Sequence, residues 1–382
     1  MLIKTEDRGI PCKLALADGT IFEGKAFGAT EGTQAVTAEV VFNTALSGYQ
    51  EILTDPSYAG QMLTFTCPHI GNVGCNVEDY ESDRVYARGL IIREQSRVAS
   101  NFRATETLDT FLRRENILGI SDIDTRALVK HLRDNGAQMG ALQAGSVNSA
   151  DLVDQARSAG SMEGKDYVKE VACKAAYHWR ESIWQLGKGY SELDRKGAPK
   201  LVVIDCGVKR NILRLLVETG FDVHVLPAGS TAEQILAHNP AALFLSNGPG
   251  DPATLDYVVD PLKALLGKLP IFGICLGHQM LSLALGAKTY KLKFGHRGGN
   301  HPVLDLHTNK VEITVQNHGF AVAAETLPEA YQVSHVNLND QTVEGVVAPD
   351  LKAFAVQYHP EANPGPHDSN YLFKRFYDLV VS

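Results

Sequence analysis

Pro270-Ile271-Phe272-Gly273-Ile274-Cys275-Leu276-Gly277-His278-Gln279 is the stretch whose reading decides the fold. An apolar, β-leaning run enters a cysteine that has glycines two residues before and two after it. A helical pattern, Gln279-Met280-Leu281-Ser282-Leu283-Ala284-Leu285, follows at once. This spacing predicts a nucleophile elbow with cysteine in the place of serine. The glycines let the chain turn sharply without Cβ clashes. The thiol is then expected at a helix N-terminus, where the dipole favours thiolate. Further on, Phe354-Ala355-Val356-Gln357-Tyr358-His359-Pro360-Glu361 reads as a strand ending in a histidine, with a carboxylate two residues later. Cys275, His359 and Glu361 thus supply a nucleophile, a base and an orienting acid. A free cysteine is more often a buried core residue, but the paired glycines and the strand-to-helix switch favour the nucleophile. Pro360 fixes φ between histidine and glutamate and stiffens the pair.

Around the elbow the pattern alternates. Leu201-Val202-Val203-Ile204, Asp222-Val223-His224-Val225-Leu226 and Ala242-Leu243-Phe244-Leu245-Ser246 read as short strands. Between them lie an amphipathic helix, Arg210 to Val217, closed by Gly220, and a second helix opened by a capping box of Ser230 and Glu233. Short strands at Lys310 to Val315 and near Val343 precede the His359 strand, and a last helix covers Asn370 to Val381. The expected fold class is α/β: a C-terminal, doubly wound, mostly parallel sheet with helices on both faces. Such sheets bind ligands outside the carboxyl ends of their strands. Gly248-Pro249-Gly250, Cys275 and His359 all follow strand ends.

The first half reads as a smaller mixed α/β domain. Asp18-Gly19 between two strand-like runs signals a hairpin. Val36 to Thr44 is strand-like, and helices are predicted near Leu108 to Glu115 and Asp122 to Asn135, the second stopped by Gly136. The polar, glycine-bearing stretch from Gly187 to Pro199 reads as an interdomain connection. The expected division is therefore 1–190, a linker over 191–199, and 200–382.

Composition excludes several classes. With 382 residues, two or three domains can each build a core. A formal net charge of -8 without a Lys/Arg cluster argues against a nucleic-acid partner. The six cysteines are scattered, which suits reduced thiols in the cytoplasm rather than a disulfide framework. The N-terminus, Met1-Leu2-Ile3-Lys4-Thr5-Glu6-Asp7-Arg8, lacks the apolar core of a signal peptide, and no apolar run is long enough to span a bilayer. No phosphate-cradling Gly-x-x-x-x-Gly-Lys-Ser/Thr loop exists. Asn247-Gly248-Pro249-Gly250-Asp251-Pro252 is a turn in which glycines let a ligand approach backbone N–H groups, as an oxyanion hole requires. Gly295 to Pro302 and Gln316 to Phe320 carry histidines, but their glycines and proline break any helix that might align metal ligands. Loop histidines or substrate-contacting backbone are expected there, and no metal. Cys206 lacks a second glycine and an evident base, and reads as structural.

Asn247-Gly248-Pro249-Gly250-Asp251-Pro252, Gly273-Ile274-Cys275-Leu276-Gly277-His278-Gln279 and His359-Pro360-Glu361 together resemble the signature blocks of the triad-type glutamine amidotransferases. Over nearly its full length the chain is similar to the glutamine-hydrolysing small subunits of carbamoyl phosphate synthases. Val41-Phe42-Asn43-Thr44, Gly48 to Tyr58, Ile123-Asp124-Thr125-Arg126, Gly207 to Ile212 and Asn317-His318-Gly319-Phe320 carry that likeness. The resemblance implies roles residue by residue. Cys275 is the nucleophile, His359 the base and acid, and Glu361 the group that orients the imidazole. Gly248 and Leu276 supply oxyanion-hole N–H groups. Gln279, Gly250, Asn317, Gly319 and Phe320 line the glutamine site, and Ser57 reaches in from the N-terminal domain. The resemblance also implies a large-subunit partner that receives ammonia and makes carbamoyl phosphate from bicarbonate, using ATP and Mg, with no cofactor on this chain. The product feeds arginine and pyrimidine biosynthesis. The alternative is another Cys-His-Glu glutaminase, or a γ-glutamyl hydrolase, on the same fold. A regulatory subunit with a dead site would need a broken triad, and all three positions are intact.

Overall fold

The computed structural model describes residues 2–5, 8–32 and 34–382. Met1, Glu6 and Asp7, part of the N-terminal stretch read above, lie outside them. The chain divides into two compact units, Met1–Glu163 and Gly164–Ser382.

In the first unit seven strands close into a barrel, in the order Leu118–Ser121, Ile21–Gly28, Pro11–Leu16, Gln138–Ala144, Val36–Asn43, Gln61–Phe65 and Gly89–Ile91. The hairpin around Asp18-Gly19 is present, with Pro11–Leu16 and Ile21–Gly28 antiparallel. Asp18 Oδ1 accepts from the Thr20 N–H at 2.9 Å, and Gly19 takes a φ of 101°, which a side chain would strain. Successive residues point to opposite faces, and both faces are apolar. Val40 and Met62 join a cluster with Leu128 and Leu132 of the helix Thr125–Asn135. Val41 and Leu63 join another with Phe111 and Leu112 of the helix Leu108–Arg114. Both helices begin at side-chain caps, Thr107 for one and Asp124 for the other.

The second unit holds a ten-stranded sheet. Its centre is five parallel strands in the order Asp222–Pro227, Lys200–Asp205, Ala242–Leu245, Ile271–Ile274 and Ala353–Val356. Four of them, Lys200–Asp205, Ala242–Leu245, Ile271–Ile274 and Ala353–Val356, are buried on both faces and read as near-continuous apolar runs, whereas Asp222–Pro227 alternates between buried and half-buried residues. Val202, Ile204, Leu243 and Leu245 pack on one side with Val259, Leu262, Met280 and Leu281 from the helices Asp256–Leu265 and Leu276–Ala284. Leu201, Val203, Phe244 and Phe272 pack on the other with Ile212, Leu216, Phe373 and Phe376 from the helices Arg210–Thr219 and Tyr371–Val381.

Three expectations change. The division falls near residue 164 rather than at 191–199, because residues 164–199 fold onto the second unit. Tyr177–Trp179 adds an antiparallel strand beside Asp222–Pro227, and the glycine-bearing stretch closes on itself through Ser182 N to Ser191 O at 2.8 Å and Leu193 N to Arg180 O at 2.9 Å. Glycines there mark turns, not a boundary. The capping box sits one residue later, at Thr231 and Gln234, while Ser230 Oγ bonds the Pro227 carbonyl instead. Finally, the two glycine- and histidine-bearing segments are not loops. They lie in a long antiparallel pair, Lys288–Asp305 with Lys310–Ala323, whose register shifts between Lys291 and His296 and between Gly298 and His301. The glycines produce bulges within strands, which hide the period-two pattern. With Gln332–Asn337 and Val343–Ala348 this pair extends the sheet beyond Ala353–Val356.

Candidate active site

Strand Ile271–Ile274 delivers Cys275 to the carboxyl edge of the sheet, and helix Leu276–Ala284 leaves from it. Cys275 has φ 56° and ψ -105°, a conformation that costs a non-glycine residue on the order of 1–3 kcal/mol. The neighbours enforce it. Cys275 N–H donates to Val356 O at 2.9 Å. A Cβ on Gly273 would stand 2.7 Å from the Gly277 carbonyl, and one on Gly277 would stand 2.2 Å from Leu245 O. Neither glycine can carry a side chain without moving the turn.

The strand Ala353–Val356 runs parallel to Ile271–Ile274 and brings His359 to the same edge. Its N–H donates to Val315 O at 2.8 Å. Nδ1 of His359 lies 2.7 Å from Glu361 Oε1. A carboxylate there fixes the tautomer with the proton on Nδ1 and leaves Nε2 free to take a proton. Nε2 meets no partner at hydrogen-bond geometry among the described residues, while the Cys275 thiol acts on the same ring. Burial alone would lower the His359 pKa, but Glu361 and Cys275 outweigh it and raise it well above the usual imidazole value. Burial likewise pushes Glu361 up, while Lys209 and His359 pull it down further, so it is held as a carboxylate. Cys275, His359 and Glu361 are all buried.

The remaining expected residues gather unevenly. A Cβ on Gly248 would meet Cys206 O at 2.2 Å and Leu276 Cδ2 at 2.7 Å, so the Asn247 to Asp251 loop abuts the elbow. Cys275 Sγ donates to Asn317 O at 3.5 Å, which places the strand Lys310–Ala323 beside the thiol. Gln279 is a strut: its side-chain N–H groups donate to Phe320 O at 2.8 Å and Gln357 Oε1 at 3.0 Å. Gly319 lies against Arg297, whose Nη2 would stand 3.3 Å from a Cβ there. Gly250, with φ 93°, packs on the backbone of Lys165 and Tyr167. Ser57 belongs to the other unit, where it is buried in the short helix Pro56–Tyr58 and its N–H donates to Asp55 Oδ1 at 2.9 Å.

The sequence pattern of the class-I glutamine amidotransferases matches residues 202–379, and that of the carbamoyl-phosphate synthase small chain, CPSase domain, matches residues 14–142. The carbamoyl phosphate synthase small chain of Syntrophotalea carbinolica is 55% identical over 96% of this chain and 97% of its own. Those of Pasteurella multocida and Escherichia coli are 52% and 51% identical, each over 96% of this chain and over 94% and 96% of their own. The chain belongs to the carbamoyl phosphate synthase small-chain family. No helix among its described residues is long and apolar enough to cross a membrane.

Two features of this small-chain site escaped the residue-by-residue reading. Lys209 Nζ donates to Glu361 Oε1 at 2.8 Å with both groups buried, and Asn211 Nδ2 donates to Glu361 O at 2.7 Å. The stretch Gly207 to Ile212 carried family likeness, but only its place after the strand Lys200–Asp205 hinted at chemistry. The second feature is a buried polar network under Asn317 to Phe320. His318 ring nitrogens lie 2.8 Å from Phe320 O and 3.0 Å from Gln316 Oε1, and Gln316 Nε2 donates to Glu344 Oε2 at 2.9 Å. His296 packs edge-on against His318 and lies 2.8 Å from Asp340 Oδ2. Burial lowers the His296 pKa, yet Asp340 and Glu344 outweigh it and bring it up to about 9. A raised histidine stabilises fully below its unfolded value near 6.5, and the contribution fades as pH rises through 9. The thermal midpoint of His296→Gln is therefore expected to lie furthest below the parent's under pH 6.5 and to converge with it toward pH 9. A gap that stays constant over that window, in thermal scans at fixed ionic strength, would contradict the pairing.

Proposed function

We propose that this chain hydrolyses the side-chain amide of glutamine and passes the ammonia to a large subunit that makes carbamoyl phosphate. The observation that carries the reading is the buried relay Cys275, His359, Glu361 and Lys209 at the carboxyl edge of the parallel strands. His359 Nε2 takes the thiol proton as Sγ attacks the amide carbon. The carbonyl π electrons move onto oxygen, and the oxyanion is held by the N–H groups of Gly248 and Leu276. The C–N bond then breaks, His359 returns the proton to nitrogen, and ammonia leaves a γ-glutamyl thioester. Water, deprotonated by the same imidazole, cleaves the thioester to glutamate and restores the thiol. Gly250, Gln279, Asn317, Gly319, Phe320 and Ser57 are the proposed glutamine-binding set. ATP, Mg and bicarbonate chemistry is assigned to the large subunit.

The test measures glutamate and ammonia release from glutamine by the purified chain, alone and with a large subunit added. Glutamine-dependent carbamoyl phosphate synthesis only when both chains are present supports the reading. Release from γ-glutamyl peptides in preference to glutamine would replace it with a γ-glutamyl hydrolase.

The oxyanion assignment gives a separate expectation. In Gly248→Ala the added methyl collides with Cys206 O and Leu276 Cδ2, so the loop must withdraw from the elbow. Removal of one such donor costs roughly 10²- to 10³-fold in kcat, and a drop of that size is expected with KM for glutamine little changed. A kcat within threefold of the parent, on the order of 0.6 kcal/mol, would remove Gly248 from the role.

A further inference from the structure

At the far edge of the second sheet, three side chains converge that take no part in the proposed reaction. Asp222 and His224 are two apart on the strand Asp222–Pro227, so they share one face. His178, on the edge strand Tyr177–Trp179, pairs with His224 across the ladder. Its ring stacks on that of His224 with centroids 4.6 Å apart. His178 Nε2 lies 2.6 Å from Asp222 Oδ1, and His224 Nε2 lies 3.1 Å from Asp222 Oδ2. One donor atom from each residue falls within 4.8 Å of the others. Asp222 opens its strand, whereas the elbow and His359 follow the carboxyl ends of theirs. The cluster is half-buried and therefore open to solvent on one side.

We propose that His178, Asp222 and His224 form a binding site for a divalent transition-metal ion of the zinc class. Two imidazoles and one carboxylate make the donor set that such ions accept, with water completing the shell on the open side. Cross-strand pairing supplies preorganisation, since the backbone register already holds both rings over one carboxylate. Coordination through Nε2 leaves Nδ1 as the ring nitrogen that carries the N–H. At His178 this creates a conflict, because Arg180 Nε donates to His178 Nδ1 at 3.1 Å. A metal-bound His178 cannot accept there, so Arg180 must swing away. Arg180 is thus a built-in competitor of the ion.

The experiment titrates the full chain with Co²⁺, after chelator treatment, by visible absorption, and repeats it with Zn²⁺ in competition. Coordination by nitrogen and oxygen gives d–d bands without a thiolate charge-transfer band, which separates this site from the cysteines. His178→Ala and His224→Ala are each expected to weaken binding at least tenfold, and Arg180→Ala to tighten it severalfold. Glutamine hydrolysis at the parent's rate in all three shows that the variants are folded. The proposal is overturned if the parent gives no such bands. It is equally overturned if the double variant His178→Ala/His224→Ala binds as many ions with unchanged affinity, or if Arg180→Ala weakens binding.

Discussion

Cys275→Ser is expected to abolish glutamine hydrolysis while leaving ammonia-dependent carbamoyl phosphate synthesis by the two-subunit enzyme intact. Serine keeps the shape of the elbow, so the turn at φ 56° and the hydrogen bond to Val356 O survive. What it loses is the thiol, the proposed nucleophile. Removal of a nucleophile in a coupled triad costs roughly 10⁴- to 10⁶-fold in kcat. In the proposed two-subunit enzyme the large subunit's chemistry does not pass through the thiol, so added ammonium is expected to bypass the defect. Side-by-side assays with glutamine and with ammonium as nitrogen source decide the matter. More than a tenth of the parent's glutaminase activity in the serine variant would exclude Cys275 as nucleophile. Loss of the ammonia-dependent reaction as well would show that the substitution damages assembly instead.

The second large effect separates His359 from Glu361. His359→Ala removes the group proposed to move every proton and is expected to cost nearly as much as loss of the thiol. Glu361→Gln removes the anion behind Nδ1 and with it the control of the tautomer, and orienting acids in such triads cost about 10²-fold less. Stability should follow the opposite order. Without the Glu361 charge, buried Lys209 loses the carboxylate that neutralises it at 2.8 Å, and breaking a buried pair from one side costs about 3–5 kcal/mol. Adding Lys209→Met to Glu361→Gln is expected to recover much of the thermal midpoint and little of the rate. Equal rate losses in His359→Ala and Glu361→Gln, with both folded by circular dichroism, would erase the division of roles. A double variant no more stable than Glu361→Gln would show that Lys209 does not depend on Glu361.

The elbow was legible because its signals are local. Two glycines at fixed offsets, an apolar run before and a 3.6-period run after specify one turn, and the structure gives each glycine a steric reason. The parallel strands were legible for a related cause: strands buried on both faces leave continuous apolar runs. The pair Lys288–Asp305 and Lys310–Ala323 was hidden because bulges at its glycines break the alternation that marks a strand. The division near residue 164 was hidden because glycine and charge look alike in a linker and in a strap of turns. Lys209 was hidden for a different reason. Its partner is 152 residues away, and only the folded sheet brings two strand ends together. The closure of the first unit into a barrel is likewise a property of long-range pairing, of which only the first hairpin was local.

The bond from His359 N–H to Val315 O reaches beyond the relay. Lys310–Ala323 is the terminal strand of its sheet, and such a strand offers unpaired backbone groups to any passing extended chain. Here the outward groups are taken by the molecule itself: Ile313 N–H by Asp368 Oδ2 at 3.0 Å, and Val315 O by His359. The backbone of His359 therefore also covers an outward carbonyl of the terminal strand, beside Val311 and Ile313, two apolar side chains facing water. A substitution that shifts this backbone is expected to uncover a template for edge pairing, and solubility is expected to fall with it.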